Sequence, residues 1–396
     1  MRSVLHKLPL GEFVDFQNGF AFKSGEYTKE GHYLMRIKNV QQGYIEINDQ
    51  CFVKIPNEEK YEKFILKNGD ILVSLTGNVG RVAIIEEEHL PAALNQRVAR
   101  VTPRNKQILD SKYLYYLLRT PEFLDFAIGA GKGAAQQNIS TNDMEKFKVQ
   151  VPTLAKQRKI VEKLDQAFTE IDLLIEQNEF KSNLLKQIFD QEIESIFHRN
   201  IHKWPETTIG QTCDYKNGKA HEQLVDLNGK FRLVTSKFVS SDGMSARRVI
   251  ESLTPLISGD IAFVLSDLPN GKALAKAFLV TNEKDLTLNQ RVLRVRSKNF
   301  DPNFLYYSIN RNPYLRSFDN GESQTHLKLA QVLACPLLMP DLKTQIEVAT
   351  RISKLRQEVE KAVHILSQES ILIEALKVSI LHESFTQIEQ MDEVAS

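Results

Sequence analysis

The chain carries one pattern twice, and the distance between the two occurrences limits what it can fold into. Leu94-Asn95-Gln96-Arg97-Val98 is followed by Arg100-Val101, and Leu288-Asn289-Gln290-Arg291-Val292 by Arg294-Val295, an offset of 194. Other landmarks recur in the same order: Gly11 and Gly210, Gly69-Asp70-Ile71 and Gly259-Asp260-Ile261, Leu114-Tyr115-Tyr116 and Leu305-Tyr306-Tyr307, Gly133 and Gly321, Pro152 and Pro340. Their offsets are 199, 190, 191, 188 and 188. A period near half of 396 residues is too long for a solenoid unit. It means two copies of a whole domain, each with surfaces free to diverge.

Within each copy the apolar runs are short, β-branched and broken by Gly and Asn, as in Tyr33–Val40, Ile71–Leu75, Val82–Ile85 and Arg97–Val101. They predict strands. Copy two offers Arg232–Thr235, Asp260–Leu265, Ala277–Thr281 and Arg291–Val295. Ser111–Arg119 and Pro302–Asn310 predict short helices, so each copy is a mixed α+β domain.

After each copy the period changes. Leu164, Phe168, Ile171, Ile175, Asn178, Ser182, Leu185 and Phe189 step alternately by 4 and 3. So do Ile352, Leu355, Val359, Ala362, Leu366, Glu369, Ile373, Leu376 and Ile380. These are heptad seams uninterrupted by Pro or Gly, and two such rods in one chain are best paired with each other. Thr153 and Asp341 suit N-caps. Gln157 and Gln345 recur at a distance with no capping role, which leaves a bond to the neighbouring domain or to a partner. The organisation is therefore a globular copy at 1–151, a helix at 152–200, a second globular copy at 201–340 and a second helix at 341–396.

Charge separates along the same boundaries. Residues 1–150 and 201–340 carry +2 and +5, while 151–200 and 341–396 carry −2 and −4. Globular parts that touch a polyanion, with helices that do not, fit this segregation. No stretch approaches a membrane span, and the N-terminus lacks the apolar core of a signal peptide, so a cytoplasmic protein is expected. Three scattered cysteines argue against a disulfide framework and against a zinc site.

The order of globular copy, helix, globular copy, helix resembles the specificity subunit of Type I restriction-modification systems. The resemblance is carried by the two Gly-Asp-Ile turns, the two Leu-Tyr-Tyr helices, and Pro-x-Leu-x-x-Gln-x-x-Ile/Val at Pro152 to Ile160 and Pro340 to Val348. Trp204-Pro205 adds to it, although copy one has no Trp at its start. The resemblance implies two target recognition domains in tandem, with the helices pairing as an antiparallel coiled coil. Each domain would read one half of a bipartite site in double-stranded DNA. Two adenine-methyltransferase subunits would dock on the helical scaffold, and endonuclease/translocase subunits could join them. The cofactor S-adenosylmethionine would sit on the methyltransferase partner, with none bound by this chain.

No catalytic constellation is visible. Asn312-Pro313-Tyr314 lacks the second Pro of an adenine-methyltransferase motif. Gly129-Ala130-Gly131-Lys132-Gly133 lacks Walker spacing and suits a glycine loop on a DNA-facing surface. The nine His residues show no metal-ligand spacing. A non-enzymatic subunit is expected.

The repeat also sorts the candidate DNA contacts. Residues identical in both copies cannot discriminate between two different half-sites, so they are scaffold or hold phosphates. On that logic Arg97 and Arg291 buttress the fold or touch the backbone, and Lys38 and Lys237 hold phosphate. Arg36 and Asn39 differ from Thr235 and Phe238, which makes them candidates for base edges. Further candidates are Asn78 and Arg81 in the loop Thr76–Arg81, and Asn270, Lys272 and Lys276 in the longer loop of copy two. Gln136 and Gln324 agree, whereas Gln137-Asn138 and Thr325-His326 do not. Two other readings share the composition: the recognition subunit of a methylation-only defence system, and a coiled-coil adaptor that binds proteins.

Overall fold

The computed structural model describes residues 7–47, 51–55, 59–131, 137–267, 273–319 and 325–394. It divides into two compact units: residues 1–179 with 367–396, and residues 180–366. Both boundaries fall inside the long helices, Leu154–His198 and Leu342–Val394. Each unit thus contains one globular copy and a segment of each helix.

The first unit is built on a four-stranded antiparallel sheet in the order Val14–Asn18, Val98–Pro103, Ile71–Ser74, Val82–Ile84. The run Ile71-Leu72-Val73 is apolar throughout because the sheet is buried on both faces. Ile71 and Val73 enter a core with Tyr113, Leu114, Leu118 and Phe123 from the helices Ser111–Leu118 and Pro121–Ala130. Leu72 points the other way, into a core with Met35, Ala83 and Leu94. That second core belongs to a smaller sheet in which His32–Met35 runs parallel to Ala92–Leu94.

The second unit repeats the plan. Cys213–Asn217, Val292–Ser297, Asp260–Val264 and Ala277–Leu279 form the four-stranded sheet. Phe231–Val234 runs parallel to Leu286–Leu288 in the smaller one. Ile71 faces Val101 across the first sheet, and Ile261 faces Val295 across the second, so the register repeats with the sequence.

The Gly-Asp-Ile motif is a structural turn in both units. Gly69 and Gly259 take φ of +86° and +87°, the left-handed region that favours glycine. Asp70 then accepts from Lys67 N and pairs with Arg100; Asp260 accepts from Ile257 N and pairs with Arg296.

The shared glutamines bind the globular copy, not a partner. Gln157 is fully buried; its Oε1 accepts from Asp110 N at 2.8 Å, and its Nε2 donates to the carbonyls of Ile108 and Pro152, both at 2.7 Å. Gln345 accepts from Asp301 N at 2.8 Å and donates to Pro340 O at 2.8 Å. The Tyr-Tyr helix adds a second fastening, Tyr116 to Asp165 in one unit and Tyr307 to Ser353 in the other. Asp341 caps its helix by accepting from Thr344 N at 2.9 Å, while at Thr153 it is the carbonyl that accepts, from Gln157 N.

The first seam matches its heptad pattern. Leu164, Phe168, Ile171 and Asn178 are buried, and Ile175, Ser182, Leu185 and Phe189 are half-buried. In the second seam two positions slip by one residue, while Ile373 and Ile380 stay half-buried where the pattern puts them. Glu369 and Leu376 are exposed, and Ser370 and Lys377 face inward instead. A straight helix drifts by about 20° per heptad against a strict seven-residue repeat, so the inward face passes to the next residue. Within the first unit, Lys377 pairs with Asp172, and Asn178 Nδ2 donates to Glu369 and Ser370 at 3.4 Å. Those pairings order the two helix segments in opposite directions.

One sequence expectation needs correction. The strand expected over Tyr33–Val40 ends at Met35 and gives way to a turn. The helix after copy one starts at Leu154, directly after Thr153. Among the described residues no helix is long and apolar enough to cross a membrane, and no group of His, Cys, Asp and Glu could hold a metal ion. Cys51, Cys213 and Cys335 are free and buried. Burial pushes the Cys213 thiol up to about 11 and that of Cys335 to about 12, which keeps both protonated and unreactive.

Candidate nucleic-acid interface

In the first unit several strand ends open onto one rim. The strand His32–Met35 ends in the turn carrying Arg36, Lys38 and Asn39. Ile71–Ser74 ends in the loop Thr76–Arg81. Ala92–Leu94 and Val98–Pro103 are joined by the turn Asn95-Gln96-Arg97. Backbone bonds tie these pieces together: Asn95 N to Met35 O at 3.2 Å, Gln96 N to Phe20 O at 2.9 Å, and Leu75 N to Arg97 O at 3.0 Å. The Gln137-Asn138 segment joins through Gly77 N to Gln137 O at 2.8 Å and Thr76 Oγ1 to Asn138 Oδ1 at 3.1 Å.

The second unit builds the same rim from its own residues. Asn289 N donates to Val234 O at 3.1 Å, and Leu265 N to Arg291 O at 3.4 Å. The segment Thr325–His326 pairs with Ser266–Asp267, as Asn138 bridges Thr76 in the first unit. Lys237 is exposed in the short helix Ser236–Ser240, which follows the strand end at Val234. The loops chosen from sequence divergence therefore do converge, one set in each unit.

Individual side chains fare differently. Lys38, Asn78, Gln137, Asn138, Lys237 and His326 are exposed on the rim. Arg36 is half-buried, with its guanidinium 6.0 Å from the Tyr27 ring centroid. Arg81 is half-buried as well; it donates to Gln41 Oε1, and the Asn78 amide oxygen, turned toward it, accepts from Nη1 and Nη2 at 3.2 and 3.0 Å. Thr325 holds its strand position opposite Asp267. Gln136, Asn270, Lys272 and Gln324 lie outside the described residues, as do Lys132 and Gly133 of the glycine loop.

Two assignments are overturned by burial. Asn39 is 0% exposed; its Oδ1 accepts from Arg36 N at 3.0 Å, and its Nδ2 donates to Tyr33 Oη and Glu46 O at 3.0 and 2.8 Å. It closes the turn and has no edge left for a base. Its counterpart Phe238 is equally buried, so the two copies differ here in how they fill a core position. Lys276 is only 16% exposed, and its Nζ donates to Ser240 O and pairs with Asp242 at 3.1 Å, which makes it a brace.

Of the two roles open to Arg97 and Arg291, exposure counts against the buttress. Both are exposed, and among the described residues neither guanidinium makes a hydrogen bond or salt bridge. The buttress is the residue two positions earlier. Asn95 and Asn289 are 7 and 8% exposed, and each accepts through Oδ1 from the backbone N–H of its own arginine at 3.4 Å.

Residues 6–180 match the family model described as the Type I restriction modification DNA specificity domain. Over that stretch the chain is similar to the Type I restriction-modification specificity subunits. It is 32% identical over 171 residues to the Type I restriction enzyme MjaVIII specificity subunit of Methanocaldococcus jannaschii, a stretch covering 42% of this chain and 39% of that relative. The chain thus spans about two-fifths of that relative's length. The StySPI specificity subunit of Salmonella potsdam is 23% identical over 385 residues, covering 89% of this chain and 81% of that one. A chain solved in work on complex assembly and conformational transition of the type I R-M system covers 96% of this chain and 97% of its own, with a TM-score of 0.65 at 13% identity. That likeness is one of fold, and it runs through both units.

Proposed function

We propose that the chain is the DNA sequence-recognition subunit of a Type I restriction-modification complex, with one half of a bipartite site read by each unit. The observation that carries this reading is the repeated rim. Each unit presents the same framework of strand ends, and the residues on it differ between copies where bases would be read: the exposed Asn138 against His326, and the half-buried Arg36 against Thr235.

On this reading the chain supplies specificity, and chemistry resides in its partners. Two methyltransferase subunits would bring S-adenosylmethionine, and endonuclease/translocase subunits could complete the complex in the cytoplasm. A docking role for the helices is supported by apolar residues left outside the seam, such as Phe180, Leu184 and Ile188, which are 68, 41 and 53% exposed. Their spacing puts them on one helix face.

Mapping N6-methyladenine across the host genome with and without the gene tests the proposal. Loss of one bipartite motif on deletion is expected. A methylome that is unchanged, in a host shown to express the chain and an intact methyltransferase, would refute it.

A further inference from the structure

On the two rims the dipeptide Gln96-Arg97 and its copy Gln290-Arg291 combine identity between the copies with arginine side chains that the fold does not use. Both residues of each pair are exposed. The fold requires what lies beneath them. A Cβ on Gly19 would stand 2.2 Å from Asn95 O, and one on Gly218 would stand 2.0 Å from Asn289 O, so glycine alone lets the turn lie on the strand end below it. Asn95 and Asn289 then hold the turn from inside. Nothing in this construction uses the arginine side chains. In the second unit Gln290 Nε2 donates to Glu222 Oε1 at 2.6 Å, while among the described residues the Arg291 guanidinium itself makes no hydrogen bond or salt bridge.

An arginine held on a fixed backbone turn, with its five donors unspent, is prepared for an anion. The anion must be one that both units meet. Two half-sites differ in their bases but not in their sugar-phosphate backbone. A reader of bases at this place would have diverged with its neighbours, and a structural residue would be buried or paired. We propose that Gln96-Arg97 and Gln290-Arg291 are phosphate clamps, one per unit, that fix each domain's register on the duplex regardless of the sequence it reads. The proposal rests on the reading of the chain as a DNA-recognition subunit and names the part of the ligand that these residues take. Lys38 and Lys237 are exposed in the elements that follow Met35 and Val234, whose carbonyls accept from Asn95 N and Asn289 N at the base of each clamp.

The test is a salt titration of DNA binding by the full-length chain, read by fluorescence anisotropy. One duplex carries the site found by methylation mapping, and a second has the site scrambled. Arg97→Ala and Arg291→Ala should each weaken binding to both duplexes by a similar factor. Each should also lower the slope of log affinity against log salt by about 1, and the double variant by about 2. Arg97→Lys should restore most of the slope, because a phosphate accepts a point charge where a guanine edge demands the guanidinium fork. An unchanged slope in the alanine variants would overturn the clamp while leaving DNA recognition intact. A loss confined to the specific duplex and not rescued by lysine would also overturn it, in favour of base reading. Salt-independent or absent binding by the unmodified chain would sink the DNA reading itself. Thermal melts of the variants should coincide with that of the parent chain, since neither guanidinium bonds to the fold.

Discussion

Asn39 and Arg97 show how far single residues can be read from a sequence. Asn39 differs from its counterpart and looked like a base reader, but the difference between Asn39 and Phe238 lies in a core. Arg97 matches its counterpart and looked structural, but it is exposed. Identity and difference between copies say what varies; only burial says which side of the surface the variation is on. Gln157 was visible as a shared residue, and its partners 47 and 49 positions away were not, because they depend on how the domain folds back to meet the helix. Replacing Gln157 with Ala would strand a buried N–H and two carbonyls. Gln157→Ala should therefore lower stability by about 2 kcal/mol in urea unfolding, and Gln345→Ala should act similarly on the second unit. A change within a few tenths of a kcal/mol in either would mean that water replaces the amide. A second outcome follows from Asn39: Asn39→Ala should reduce stability and weaken DNA binding only through that loss, whereas Arg36→Ala should relax one half-site. Relaxation of both half-sites by Arg36→Ala would contradict one rim per half-site.

At the scale of elements, the long helices were the most legible part of the chain. A period of 3.5 residues maintained without Pro or Gly leaves few alternatives, and every seam residue named in the first helix is buried or half-buried. The slip at Glu369 was not legible, because apolar residues at 373, 376 and 380 extend the simpler frame and only a partner surface decides which face turns inward. Asn178 is the polar residue that this seam buries, and its two bonds are long at 3.4 Å. Such a residue lowers stability while favouring one alignment. Asn178→Leu should accordingly raise the unfolding free energy of the first unit by on the order of 1 kcal/mol. A fall of that size would show that the amide bonds outweigh the apolar contact. The short strands were placed to within a few residues, and their ends were the weak point: the turn after Met35 is set by Asn39 bonding to Arg36 and Tyr33, which no run of apolar residues announces.

For the molecule as a whole, the repeat announced the two copies and their order, and the structure shows where each copy finds its supporting helix. If the helices set the distance between half-sites, removing one heptad from each in register shortens that distance by about 10 Å, close to three base pairs. The methylated motif should then keep both specified halves and lose about three unspecified bases between them. Retention of the original gap would show that something other than the helices measures it. The composition of the first unit carries one more consequence. Its core contains Leu10 and Val14 from one end of the chain and Leu381 from the other, with Phe385 packed 5.2 Å from the Tyr113 ring. The second unit is contiguous, residues 180–366. On the ribosome, the domain that emerges first is therefore the one completed last, and it must wait with part of its apolar surface uncovered until the final turns of helix have been made.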